Sequence, residues 1–211
     1  MVSQALTAFD RALRLRPDWT PEAVVIGASA GAVDALGALL PALTREAKLP
    51  VAVVVHLPKT RPSAIVEVFA AKCAVPVAHP FDKQPVAPGR WFAAPDSHLL
   101  VEADRTFAMS LDEHVNYSRP SIDVLFESAA DVYGERLVAV VLTGANRDGA
   151  RGAQKVRASG GIVLVQDPAE AEVDVMPRSA IELADPQVVA PLRDLATILG
   201  SLGNGAAHVA T

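Results

Sequence analysis

The sequence predicts an α/β fold: a three-layer, doubly wound, mostly parallel sheet with an antiparallel β-hairpin insert. Two observations carry this. Short runs that are apolar at every position, such as 51–55 (VAVVV) and 137–142 (LVAVVL), alternate with segments whose apolar residues recur at helical spacing. A strand without polar alternation is covered on both faces, which is the mark of a parallel sheet between two helical layers. The second observation is a single break in that rhythm between residues 85 and 110, where three short β-like pieces are joined by turn sequences. The composition agrees with a globular domain: 51% of the 211 residues are hydrophobic and 20% are charged.

The same arithmetic excludes several classes. At roughly 150 residues per domain, the chain holds one full-sized domain with room for an appendage, and it can bury a large core without staples. A net charge of −5 leaves no basic footprint for nucleic acid. The single cysteine, Cys73, can form neither an internal disulfide nor a Cys-based metal site, so a reducing, cytoplasmic compartment is expected. No apolar run is long enough to insert in a membrane, and the N-terminus lacks the apolar region of a secretory signal.

Along the chain, residues 3–15 place Leu6, Phe9 and Leu13 on one helical face, with Ser3 as a cap and Pro17 and Pro21 as stops. This reads as an N-terminal amphipathic helix within residues 1–20, whose face requires a partner: the domain itself or another protein chain. From residue 23, AVVIG is a buried strand, followed by a helix over 31–44. The strand 51–55 ends at His56 and Pro58. A helix over 62–73 and a short strand over 75–78 come next. The three β-like pieces lie at 91–94, 99–102 and 106–111, with Pro95-Asp96-Ser97 and Ala103-Asp104-Arg105 as turns. Then follow a helix over 120–133, the strand 137–142, a helix over 149–158, the strand 161–165, a helix over 177–183, a strand over 187–190 and a helix over 191–202. The domain is expected to span 21–203, with 204–211 a flexible tail.

In such sheets, ligands bind beyond the carboxyl ends of the strands. Three strand ends carry reactive side chains. Gly27-Ala28-Ser29-Ala30-Gly31 matches G-x-S-x-G, the sharp strand-to-helix turn that exposes a nucleophilic serine. The plainer alternative is a tight turn with a capping serine. His56 ends the next strand; it is either a satisfied, partly buried residue or a base for Ser29. Asp148 precedes Gly149 at a helix start; it is either that helix's N-cap or the carboxylate that orients the imidazole. N–H groups near Ala30 and Ala145 would be the oxyanion donors. The chain order Ser, His, Asp is not that of an α/β-hydrolase. His79, His98 and His114 compete for the base role, and His208 falls in the tail. Asp34 and Asp123 read as solvated helix surface. Asp167 competes as the carboxylate or simply closes a turn.

The blocks VVIGASAGAVDAL, VVVHLP, APGRWFAAPDSHLL, RPSIDVLFESAA, VVLTGANRDGARG, VLVQDP and MPRSAI, in this order, resemble the catalytic domain of the chemotaxis protein-glutamate methylesterase family (CheB) across residues 21–198. The resemblance implies Ser29 as nucleophile, His56 as base and Asp148 as triad acid. It implies hydrolysis of γ-glutamyl methyl esters on a methylated chemoreceptor or similar signalling protein, with glutamine deamidation in some members and no metal or organic cofactor. The sequence departs from the family pattern at Ala30 and Ala32, where a threonine and a glycine are usual. It departs again at Ala145-Asn146-Arg147, where M-G-x is usual, and at Ser118, where a histidine is usual. The first twenty residues are too few for a receiver domain, so a stand-alone catalytic form is expected. Two readings compete. A dinucleotide site is disfavoured because Ser29 occupies the second glycine position of G-x-G-x-x-G and His56 stands where an acidic residue is needed. A non-catalytic signalling module that keeps the fold, docking through the 3–15 helix, is the second.

Overall fold

The computed structural model describes residues 4–14, 16–44, 48–56 and 64–202. The elements in chain order are α1 (Gln4–Arg14), β1 (Ala23–Ala28), α2 (Ala32–Leu39), β2 (Pro50–Val55), α3 (Ile65–Ala70), β3 (Val77–Ala78), β4 (Gly89–Phe92), β5 (His98–Val101), β6 (Phe107–Ser110) and α4 (Ile122–Tyr133), then β7 (Leu137–Val141), α5 (Ala150–Ala158), β8 (Ile162–Gln166), α6 (Val175–Ala184), β9 (Val188–Ala190) and α7 (Leu192–Ser201). The Ser3 cap, the Leu57-Pro58 segment, the first two residues of the helix expected over 62–73, His208 and the 204–211 tail lie outside the described residues.

Among the described residues, seven strands form one sheet in the order β3-β4-β2-β1-β7-β8-β9. Every pairing in it is parallel. Residues β5 and β6 make the antiparallel hairpin, with His98 opposite Ser110 and Val101 opposite Phe107. One expectation needs correction. The first of the three β-like pieces is not part of an antiparallel insert: it is β4, which runs parallel to β2, with Phe92 opposite Val53. The reason lies in its burial. Arg90 and Phe92 are both nearly inaccessible, so β4 is covered as an interior strand between β2 and β3.

The period-two geometry of the strands divides the core into two layers. Val24, Ile26, Val51 and Val53 face a layer built with Leu36, Leu39, Phe69, Leu195 and Ile198 from α2, α3 and α7. Val25, Ala52 and Val54 face the other, built with Leu125, Phe126, Val156, Met176 and Ala180 from α4, α5 and α6, together with Leu99 and Phe107 of the hairpin. The amphipathic α1 finds its partner in the domain itself. Phe9 is fully buried and Leu13 nearly so, both in the first layer, and the helix packs against β9 and α7. Its apolar face is therefore covered by the domain. Helix α2 ends at Leu39 and passes into a 3-10 turn at Leu40–Ala42, short of the expected residue 44. Pro41 has no N–H to continue the α-helical ladder.

The connection from β1 runs through α2 to β2 on one side, and that from β7 runs through α5 to β8 on the other. Because β1 and β7 are neighbours, their outgoing loops diverge and open a crevice at the carboxyl ends of the strands. Truncating Phe9 to alanine removes a ring from the packed first layer, and such changes cost about 3–5 kcal/mol. A urea titration of Phe9→Ala should show a loss of that size with an unchanged m value. A loss within about 0.5 kcal/mol would show that α1 is not docked.

Candidate active site

Strand register places the first two candidates side by side. Ala28 pairs with Val55, so Ser29 and His56 are each the next residue past a matched pair. Two backbone bonds extend the sheet beyond its strands: His56 N–H donates to Ala28 O at 3.2 Å, and Ser29 N–H to Thr143 O at 2.9 Å. Ser29, Ala30 and His56 line one open cleft of about 580 Å³, together with Gly31, Val55 and Glu172. The serine turn is crowded from above. A Cβ on Gly144 would lie 2.5 Å from Met176 Cε and 3.0 Å from Ser29 Cβ, so only glycine lets the β7 loop close over the serine.

Asp148 comes from that loop. His56 Nε2 lies 2.9 Å from its Oδ2, with the carboxylate fully buried and the imidazole 13% exposed. The plainer reading of Asp148, as the N-cap of α5, is not what the structure shows. The N-cap of α5 is Gly149, without a side-chain cap. Asp148 instead caps α4, an element distant in sequence. It accepts from Ile122 N–H at 2.6 Å, Asp123 N–H at 3.2 Å and the Ser121 hydroxyl at 2.8 Å. The helix N-terminus offers unpaired donors and a partial positive charge. The sharper reading needs this placement, because only a carboxylate held inside the fold can reach His56.

Asp123 corrects a second expectation. It is not solvated surface but 2% exposed. One oxygen accepts from Gly152 N–H in the first turn of α5 at 2.7 Å, and the other from the Asn116 amide at 2.7 Å. The cause is a close approach of α4 and α5, which the absence of a side chain at Gly152 permits: a Cβ there would lie 2.5 Å from Phe126 Cβ. So the carboxylate before α5 caps α4, and the carboxylate in α4 caps α5. Asn116 Nδ2 donates to both, reaching Asp148 Oδ1 at 2.9 Å. Asn116 itself has a left-handed backbone (φ 50°), the region asparagine tolerates best among non-glycine residues.

Asn146, flagged by sequence only as a departure from the family pattern, fixes the imidazole from the other side. Its Oδ1 accepts from Asp148 N–H at 3.1 Å, which turns its amide towards His56 Nδ1 at 3.4 Å and Ser118 Oγ at 3.4 Å. With Nε2 donating to Asp148, Nδ1 of the neutral ring carries the lone pair. The Ser29 hydroxyl itself makes no hydrogen bond among the described residues.

The other candidates have structural partners. His79 Nδ1 meets Phe92 O at 2.9 Å. His98 is buried between Glu113 O and Ser121 N–H. His114 is exposed and Asp34 is exposed on α2. Asp167 closes a turn, accepting from Ala169 N–H at 2.9 Å. Sequence reasoning missed Asn116, Ser121, Met176 and Glu172 as parts of the site. Met176 and Ser121 had a signal in the MPRSAI and RPSIDVLFESAA blocks; Asn116 and Glu172 had none in spacing or composition. Among the described residues no group of acidic, histidine or cysteine side chains is arranged to hold a metal ion, and no helix is long and apolar enough to cross a membrane.

A parallel sheet between two helical layers, with a serine and an imidazole–carboxylate pair at the carboxyl ends of neighbouring strands, defines a doubly wound α/β protein with its cleft at the strand ends. Its family follows from comparison. The chain belongs to the CheB methylesterase family, whose model matches residues 24–199. It superimposes on the crystal structure of the Thermotoga maritima CheB methylesterase catalytic domain with a TM-score of 0.82 and 30% identity, covering 87% of this chain and 99% of that one. A Leptospira interrogans relative is 42% identical over 178 residues, covering 84% of this chain and 92% of its own; its name assigns protein-glutamate methylesterase and protein-glutamine glutaminase activities provisionally. A Bordetella bronchiseptica protein-glutamate methylesterase/protein-glutamine glutaminase is 34% identical over 200 residues, which cover 91% of this chain and 57% of that protein. The doubly wound fold with its hairpin, expected from sequence, is thus the fold of an enzyme family.

The two buried carboxyls titrate in opposite directions. Burial pushes Asp148 up, but the hydrogen bonds from His56, Asn116 and Ile122 N–H outweigh it and hold the group below the ordinary carboxylate value. Burial dominates at Asp123 and, with the Asp148 charge, raises it despite the Gly152 and Asn116 donors. A lowered folded-state value means stability present above the unfolded value and lost as pH falls through the folded one. A raised value means stability present below the unfolded value and lost as pH rises through the folded one. Asp148→Asn should therefore cost about 2–4 kcal/mol at neutral pH, and the gap to wild type should narrow below about pH 4. Asp123→Asn should compare best with wild type at neutral pH and worst in acid. Urea titrations at both pH values decide this, and parallel curves for the two variants would refute the assignment.

Proposed function

We propose that this chain is a serine esterase that hydrolyses γ-glutamyl methyl esters on chemoreceptor or similar methylated signalling proteins in the cytoplasm, with Ser29, His56 and Asp148 as its catalytic residues. The observation that carries this reading is the 2.9 Å contact between His56 and the buried Asp148 in a cleft that Ser29 also lines. The names of the relatives support the choice of substrate. We assign the catalytic unit to residues 21–203, with α1 (Gln4–Arg14) packed on it.

The chemistry follows from the roles. Asp148 holds the imidazole by Nε2, which leaves Nδ1 to accept the Ser29 proton once the Asn146 amide yields. The Ser29 oxygen attacks the ester carbonyl. The Ala30 and Ala145 N–H groups, which have no backbone partner among the described residues, receive the oxyanion. His56 returns the proton to methanol as it leaves, then activates the water that frees the glutamate. A glutamine side chain would follow the same path with ammonia leaving. Nothing in these steps asks for a cofactor.

Methanol release from a methylated chemoreceptor fragment is the direct assay. Ser29→Ala should lower it by roughly three orders of magnitude or more, and a serine-directed phosphonate should label wild type at Ser29. Equal turnover by the mutant would refute the assignment of Ser29, whereas no turnover by wild type together with an unlabelled Ser29 would leave the signalling-module reading in its place.

A further inference from the structure

Glu172 reaches the cleft from the loop between β8 and α6, and the steps above do not use it. It lines the cleft with Ser29, Ala30 and His56. Its side chain lies over Gly31: a Cβ on that glycine would be 2.8 Å from both Glu172 Cβ and Oε2. Gly31 is the N-cap of α2, in the left-handed region at φ 77°, and no side chain caps that helix. The Glu172 carboxylate thus stands beside the unpaired donors and partial positive charge of the α2 N-terminus. It is exposed and has no ion-pair partner among the described residues. Asp34, in the first turn of α2, lines the same cleft.

Ester hydrolysis changes the charge of what the cleft holds. The substrate side chain is neutral; the product is a carboxylate, formed when water cleaves the acyl-serine ester after methanol has left. A helix N-terminus next to the nucleophile attracts that product. We propose that Glu172 occupies the anion-favouring end of α2 and repels the newly formed glutamate, so that the cleft holds neutral ester and amide side chains in preference to carboxylates. This inference rests on the methylesterase reading of the cleft. The Coulomb term acts on the product and not on the ester. Solvent and salt limit it to a several-fold effect at an exposed site.

The test compares two peptides, identical except for glutamate or glutamine at the position that would carry the ester, as inhibitors of ester turnover. In Glu172→Gln the inhibition constant of the glutamate peptide should fall about three- to tenfold relative to wild type, while that of the glutamine peptide changes less than about twofold. The difference should shrink when salt rises from about 0.05 to 0.5 M, which a purely structural role of Glu172 would not produce. Equal shifts for both peptides, or no shift for the glutamate peptide, overturn the proposal. Calorimetric binding of the same peptides to Ser29→Ala, with and without Glu172→Gln, gives the charge preference without turnover. Absent methanol release by wild type would then defeat the methylesterase reading alone, and absent charge preference in binding would defeat this one alone.

Discussion

The buried Asp148 carboxylate is the constraint on which the rest depends. It accepts from His56, Asn116, Ser121 and two backbone N–H groups of α4. A fully buried carboxylate is tolerable only when its oxygens are satisfied and its charge is met by donors and dipoles, and the α4 N-terminus supplies most of this. Asp123 returns the arrangement by capping α5. The two helices of the second layer are therefore joined by exchanged carboxylates as well as by apolar contact. The group that would orient the base also anchors the helical layer, so its loss reaches stability and chemistry together.

The position of the site follows from topology. Because β1 lies between β2 and β7, the residues that follow these three strands meet at one rim. That is why Ser29, His56 and Asp148 can be neighbours although Asp148 lies far along the chain. The one-step register past Ala28 and Val55 brings the serine and the histidine together without a long loop. The order Ser, His, Asp is the order in which the chain visits those strands, and it carries no chemical meaning of its own.

Much of this was legible in the sequence, and the remainder was hidden for definable reasons. Uninterrupted apolar runs gave the parallel strands, because burial on both faces is written into each residue. The strand-end rule then led to Ser29, His56 and Asp148. The β4 assignment failed because 91–94 and the two hairpin strands look alike locally; only their neighbours differ. Asp123 was misread because helical spacing puts it on a polar face, whereas its burial depends on Gly152 in another helix. The fate of the α1 face was open in the sequence, since an apolar stripe does not say what covers it. Asn116 was silent for a different reason: a lone asparagine before a tyrosine is turn chemistry in any reading, and its bridge between two carboxylates exists only in three dimensions.

The two helix N-termini near the site show how one physical feature serves opposite ends. That of α4 points into the core and is closed by Asp148, which makes a buried negative charge tolerable and gives the imidazole its partner. That of α2 opens to the cleft, has a glycine N-cap without a side-chain cap, and carries the serine turn just ahead of it. An open, uncapped N-terminus next to a nucleophile favours a developing oxyanion, but the same field favours a carboxylate that has finished reacting. On the proposal above, the exposed Glu172 carboxylate at its edge opposes the full charge of the finished product.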